Sequence, residues 1–214
     1  MARKPADQSV SRDDILRAAA EVLKQRGYEA TTMKDIAAEV HLTAASLYHH
    51  FKNKNALMLA VLEGGMDYAL QQIRPIAESD LAPPEKLRAM IAVHVVSLTE
   101  YTSVGAAMVF EIGALLGIKE PGVGSKLSKK AIQEFADRRE TFITRRVMFE
   151  GYFRQAIREG IACNAFREVD VAIFTKTMLG AHNWVGVWYR PGGRLDGAQI
   201  ADQMADTFLR ALAP

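Results

Sequence analysis

The chain has 214 residues, 49% of them hydrophobic and 24% charged, which excludes a disordered polymer and supplies ample material for a core. No apolar run approaches the roughly 18 to 20 residues that span a bilayer, and MARKPADQSVSRDD at the N-terminus lacks the apolar segment of a secretory leader, so a cytoplasmic protein is expected. The net charge of +2 lies wholly in residues 1–58, where nine Lys and Arg face seven Asp and Glu, and a single cysteine, Cys163, rules out an internal disulfide and predicts a buried, inert thiol.

Helical periodicity runs from end to end. Ile15, Ala18, Ala19, Val22 and Leu23 share one face of a first helix, with Ser11 as its cap, Asp13 and Asp14 in its first turn and Gly27 as its stop. A second helix follows Thr32 and turns Ile36, Ala37 and Val40 inward. Thr43 caps a third through Phe51, and Asn53 caps a fourth that runs from Lys54 toward Pro75 with Leu57, Val61 and Leu62 inside. A loop is expected at DLAPPEK (80–86), the strongest candidate domain boundary along the chain, since Pro83 and Pro84 block helix continuation. Five more helices are predicted at roughly 85–101, 104–117, 128–160, 169–188 and 197–212, punctuated by KEPGVGS (119–125) and YRPGGRLDG (189–197). No alternating strand pattern and no repeat is present. The sequence therefore predicts an all-α chain of about nine helices, with a three-helix bundle in 1–58 and a larger helical domain in 59–214.

The second and third helices are joined only by His41, Leu42 and Thr43, which matches a helix-turn-helix. An α-helix fits the DNA major groove, and the third helix carries short hydroxyls and an aromatic where an ordinary surface helix would carry Glu and Lys. Thr43, Ala44, Ser46, Tyr48 and His49 are the expected groove-facing side, while Leu47, His50 and Phe51 turn back toward the small core or its rim. Thr32 and Lys34 at the start of the second helix, and Lys54 at the start of the fourth, are placed to meet phosphates. Short helix pairs of this kind also occur in proteins that bind no nucleic acid.

Residues 12–63 carry a more specific pattern: Gly27-Tyr28-Glu29-Ala30-Thr31, Ile36-Ala37, Leu42-Thr43, Leu47-Tyr48-His49-His50-Phe51 and Lys54 through Leu57. In spacing and residue type it resembles the DNA-binding domain of the TetR family of bacterial regulators. The resemblance implies DNA contacts from Thr43, Ser46 and Tyr48, a phosphate contact from Lys54, a homodimer on a double-stranded operator, and a C-terminal domain that binds a small-molecule effector. Two departures stand out. His41 replaces the glycine usual at the turn, and Ala44-Ala45 replaces a common Lys-Gly pair, so the family's base contacts do not carry over.

Gly180, Ala181 and Gly186 in 169–188, with Ile200, Met204, Phe208 and Leu212 recurring every four residues in the last helix, fit a four-helix dimer interface or packing within one subunit. Gly180, Asn183-Trp184, Trp188-Tyr189-Arg190-Pro191, Gly193 and Ile200-Ala201 resemble a TetR subgroup that controls fatty-acid, sterol and aromatic-acid breakdown and responds to acyl-CoA thioesters. In 128–160, Arg139 and Arg146 interrupt an apolar stripe and need anionic partners. Those partners are a ligand phosphate or carboxylate, for which Arg suits well, or Glu150 or Glu111 in a structural pair, or simply solvent if the register is shifted by one; Arg145 is an equal candidate. Phe110, Phe149, Phe153, Met178 and Trp184, with Met90, Val93, His94 and Met108, are candidate pocket walls, though such stripes are more often plain core. No HExxH, GxGxxG after a strand, GxxxxGK[ST] or paired CxxC occurs, so the sequence suggests no catalytic residue, metal site or cofactor. A helical regulator, most simply a repressor, is the expectation against an enzyme or a plain binding module.

Overall fold

The computed structural model describes residues 10–118 and 128–214; residues 1–9 of the N-terminal stretch and the KEPGVGS punctuation lie outside them. The described residues form nine helices and no strand: α1 (Arg12–Ala30), α2 (Met33–Glu39), α3 (Ala44–His50), α4 (Lys54–Ala77), α5 (Pro83–Glu100), α6 (Thr102–Gly117), α7 (Lys129–Ala162), α8 (Val171–Trp188) and α9 (Gly197–Leu212).

The predicted caps form as expected. Ser11 and Asp14 close a capping box at α1, Thr32 and Asp35 another at α2, Thr43 caps α3 through the Ser46 N–H, and Asn53 caps α4 through the Ala56 N–H. Gly27 does not end α1. It sits at φ +72°, kinks the helix, and one further turn follows to Ala30. A side chain there would be strained in a left-handed conformation that glycine adopts without cost. His41 also has a positive φ, 54°, so it fills the family's glycine position in the expected way.

Pro83 and Pro84 occupy the first turn of α5, where a missing N–H costs nothing, and so start a helix. As expected, α4 runs unbroken through residue 58, with Leu57, Met58, Leu59, Met66, Leu70 and Ile73 buried along it. Hydrophobic burial, at roughly 25 cal/mol per Å2, therefore joins both parts into one continuous core.

At its centre lies α5, packed against α4, α7, α8 and α9, with Leu87, Met90, Ile91 and Val95 fully buried. The apolar stripe of α9 turns partly onto α5: Ile200, Ala201, Ala205 and Leu212 are buried, while Met204, Phe208 and Leu209 are half-buried. Cys163 caps the end of α7 and is exposed, contrary to the buried thiol predicted. Among the described residues no single helix is long and apolar enough to cross a membrane.

Candidate DNA-reading helix and effector cavity

The orientation of α3 follows from its two anchors. Leu47 and Phe51 are buried in the bundle, which turns Tyr48 (52% exposed), His49 and Thr43 outward. Thr43 Oγ1 accepts the Ser46 N–H at 3.0 Å and lies 2.9 Å from Ser46 Oγ, so both hydroxyls are held at the helix start. Ala44 is half-buried and Ala45 exposed, so the methyl presented to solvent is mainly that of Ala45, which the sequence reading did not select. His50, expected at the core rim, is exposed. Thr32 and Lys34 stand exposed at the start of α2.

Lys54, expected to meet a phosphate, is engaged within the fold. Its Nζ donates to the Tyr28 carbonyl at 2.7 Å and lies 4.1 Å from the Tyr28 ring centroid, so the ammonium ties α4 to the end of α1 instead of reaching outward. The same tyrosine is held by its hydroxyl, which donates to Asn55 Oδ1. Its backbone N–H is freed from the helix ladder by the Gly27 kink and donates to both Glu111 carboxylate oxygens at 3.2 Å. Glu111 is buried on α6, and burial raises its pKa against the lowering effect of the Tyr28 N–H. Two neighbouring contacts repeat the link, Lys24 Nζ donating to Thr102 Oγ1 at 3.1 Å and Ser103 donating to Glu21. Thus α6 is fastened to α1 along its length. Nothing in the sequence pointed to these pairs, because their members lie roughly eighty residues apart and are ordinary surface types on their own helices.

Val104, Gly105 and Met108 of α6 also form one wall of a cavity of about 480 Å3 lined by α4, α5, α6, α7 and α8. Met66, Leu98, Val104, Met108, Phe149 and Leu179 give it apolar walls. Charge gathers on α7 and α8, where Arg146, Glu150 and Lys176 line it. Glu150 already accepts from Arg154 and lies 3.6 Å from Lys176 Nζ. Among the described residues Arg146 has no carboxylate within ion-pair distance.

Of the predicted ligand residues, then, Arg146 and Phe149 line the cavity. Arg139 does not: its guanidinium donates to the Ile118 carbonyl at 2.9 Å. Arg145 does not either, and pairs with Asp67 at 2.6 Å. Glu150 and Glu111, the partners the sequence suggested for these arginines, serve Arg154 and Tyr28 instead. Phe153 and Met178 are fully buried core behind the wall. Phe110 and Trp184 are on the outside, 53% and 50% exposed, packed edge to face at 6.0 Å.

The α5 wall was legible only in part. His94 was a candidate, but Ser97 and Tyr101, which share its face, were not selected, nor were Tyr68 on α4 and Asn183 on α8. The available signal was polar residues at helical spacing in an otherwise apolar helix. His94 is 7% exposed, with the Phe149 ring centroid at 5.0 Å and that of His182 at 5.5 Å, and burial lowers its pKa to about 4.

A further surface feature is the outer stripe of α8. Ile173, Gly180, Ala181, Trp184 and Trp188 recur on one face, are all exposed, and run beside Phe110 of α6. The two helices touch closely because Gly105 meets Gly186, where an added Cβ would lie 3.3 Å from the Gly105 backbone.

Residues 15–61 match the family model for bacterial regulatory proteins of the tetR family, and residues 131–212 match the tetracyclin repressor-like C-terminal domain. The HTH-type transcriptional activator FasR of Mycolicibacterium smegmatis is 30% identical over 159 residues, covering 74% of this chain and 69% of that protein. The chain belongs to the TetR family. Similarity to other TetR-like proteins extends further along the chain. The HTH-type transcriptional repressor KstR2 of M. smegmatis is 27% identical over 201 residues, covering 93% of this chain and 89% of that protein. The crystal structure of AibR in complex with isovaleryl coenzyme A and operator DNA superposes with a TM-score of 0.71 at 27% identity, covering 94% of this chain and 97% of that one. As a TetR-family member the protein is a DNA-binding transcriptional regulator and not an enzyme. It belongs to a class that binds DNA as dimers and takes small-molecule effectors.

Proposed function

We propose that this TetR regulator is a cytoplasmic repressor that leaves a pseudo-palindromic operator when an acyl-CoA thioester occupies the cavity. The observation that carries the reading is Arg146, a cation without a carboxylate partner among the described residues, beside Lys176 on the edge of an apolar cavity. That combination suits a ligand with an anionic head and a hydrocarbon tail. Guanidinium binds phosphate through paired N–H donors, and each buried CH2 of a tail contributes about 0.8 kcal/mol. The kinship to KstR2, a repressor, and to AibR, which binds isovaleryl coenzyme A, supports the same class of effector.

The domain division in this reading falls near residue 58, within α4. Thr43, Ala44, Ser46, Tyr48 and His49 meet base edges and adjacent backbone, Thr32 and Lys34 meet phosphates, and the N-terminal N–H groups of α4 take the role first given to the Lys54 ammonium. The α8 stripe forms the dimer contact, setting the two α3 helices one DNA turn apart, about 34 Å. Release follows from α6, which walls the cavity through Val104, Gly105 and Met108 and grips α1 through Thr102, Ser103 and Glu111. A ligand that shifts α6 shifts α1 with it, so effector and operator oppose each other by one reciprocal coupling.

The test is a gel shift of the protein on its own upstream DNA with a series of acyl-CoA thioesters. Release by one thioester and not by free coenzyme A supports the reading. A shift untouched by every thioester sinks the effector assignment and keeps the regulator.

A further inference from the structure

We infer, on the reading that an acyl thioester fills this cavity, that His94 is a specificity residue selecting acyl groups that carry a keto or hydroxyl oxygen over plain hydrocarbon chains. His94 stands on the cavity face of α5 with Ser97, Leu98 and Tyr101. A leucine or phenylalanine at this depth would pack without polar cost. An imidazole whose polar atoms stay unpaired there costs about 1–3 kcal/mol, so it needs a partner.

The protein does not supply one. Nδ1 is sealed from solvent and unpartnered, and the hydrogen bonds of the described residues include none to either nitrogen of His94. Ser97 on the same wall donates its hydroxyl proton to the Val93 carbonyl at 2.7 Å, leaving only lone pairs for the cavity. His182 presses against His94 at 5.5 Å between centroids with both of its own nitrogens sealed and unpartnered. Nε2 is the His94 nitrogen that is not sealed, and a proton on it would meet no acceptor among the described residues. Phe149 at 5.0 Å completes the clamp that fixes the ring plane.

Burial keeps the ring neutral, with its pKa near 4, so it offers an N–H without a charge. Such a group suits a carbonyl or hydroxyl oxygen and not a carboxylate, which Arg146 and Lys176 would hold at the charged side of the cavity. A site built to hydrogen-bond an oxygen rejects the analogue lacking it far more strongly than it rejects a missing methylene.

The experiment is titration calorimetry of the full chain, as wild type, His94→Phe and His94→Gln, with octanoyl-CoA and 3-oxooctanoyl-CoA. The wild type is expected to bind the oxo thioester at least about tenfold more tightly. His94→Phe should bring the ratio near one by weakening the oxo ligand while octanoyl-CoA binding holds, and His94→Gln, which keeps a donor at similar reach, should retain the preference. An operator gel shift checks that each variant is folded, and His94→Asn, too short to replace Nε2, takes the place of the phenylalanine variant if that one does not fold. A wild-type ratio near one, or a preference that survives removal of the imidazole, overturns the inference. If neither thioester binds the wild type, the acyl-thioester reading itself falls and this inference with it, an outcome distinct from equal binding of both.

Discussion

Two residues of opposite kinds mark the proposed DNA-reading and effector-sensing sites. Tyr48 is half exposed on a helix anchored by Leu47 and Phe51, so its side chain contributes little to folding and is free to contact DNA. Tyr48→Ala should weaken operator binding by roughly ten- to a hundredfold, the scale of about 1–3 kcal/mol for a specific contact, with melting temperature and dimer mass unchanged in the same preparations. Arg146 and Arg139 form the complementary pair. Both interrupt the α7 stripe, but only Arg146 lines the cavity, whereas Arg139 holds the Ile118 carbonyl. Arg146→Ala should raise the thioester concentration needed for operator release by about tenfold, as for loss of a charge-assisted contact, and Arg139→Ala should leave it alone. A dose–response gel shift of both variants reads the contrast directly.

Among the helices, α6 both walls the cavity and carries Thr102, Ser103 and Glu111 against α1. Glu111 receives an N–H that the Gly27 kink has released from its helix, so the kink and the carboxylate act together. Glu111→Leu would leave that N–H without an acceptor in a part-buried place, costing about 1–3 kcal/mol. It should also loosen the coupling: calorimetry would show the thioester binding as before, while the gel shift would show less release per bound ligand. Full release by this variant would assign the transmission to α4 alone. The outer stripe of α8 is the other exposed feature at this scale. Trp184→Glu should place a charge in the proposed dimer contact and yield a monomer by sedimentation, with operator binding lost and helical content kept.

For the molecule as a whole, the core holds two imidazoles, and this makes stability depend on pH. Burial lowers the pKa of His94 from 6.5 to about 4, and burial together with the charge of His94 lowers that of His182 well below 6.5. The unfolded chain therefore takes up protons below about pH 6.5 that the native core refuses. The stabilising contribution is complete above that pH and declines as pH falls from 6.5 toward 4, by up to about 1.4 kcal/mol per pH unit for one histidine. Denaturant midpoints at pH 7 and pH 5 measure the loss, and His94→Phe should flatten the slope. An equal midpoint at both pH values would place these rings outside the folded core.

Much of the architecture is written in local sequence, because helix caps, turn residues and apolar periodicity act within a few residues. Ser11, Thr32, Thr43 and Asn53 each cap the helix expected of them, and His41 adopts the turn conformation that its position demands. The recognition helix was legible for the same reason, since the burial of Leu47 and Phe51 on so short a helix dictates what faces outward. Which partner a charged or polar side chain finds depends on other helices, and no local pattern specifies that. Lys54 closes on Tyr28, Arg145 on Asp67 and Glu111 on the Tyr28 N–H, each across a separation that only the packed core brings within bonding distance. The fate of the α9 stripe was open for a similar cause: an apolar face records that it must be covered, and the docking of α9 on α5 covers Ile200, Ala201, Ala205 and Leu212. The sequence alone thus determined an all-helical DNA-reading protein of the TetR kind. Tertiary structure decided which of its polar residues lock the core, which line the cavity and which fasten α6 to α1, because hydrogen bonds form only where packing places donor and acceptor together.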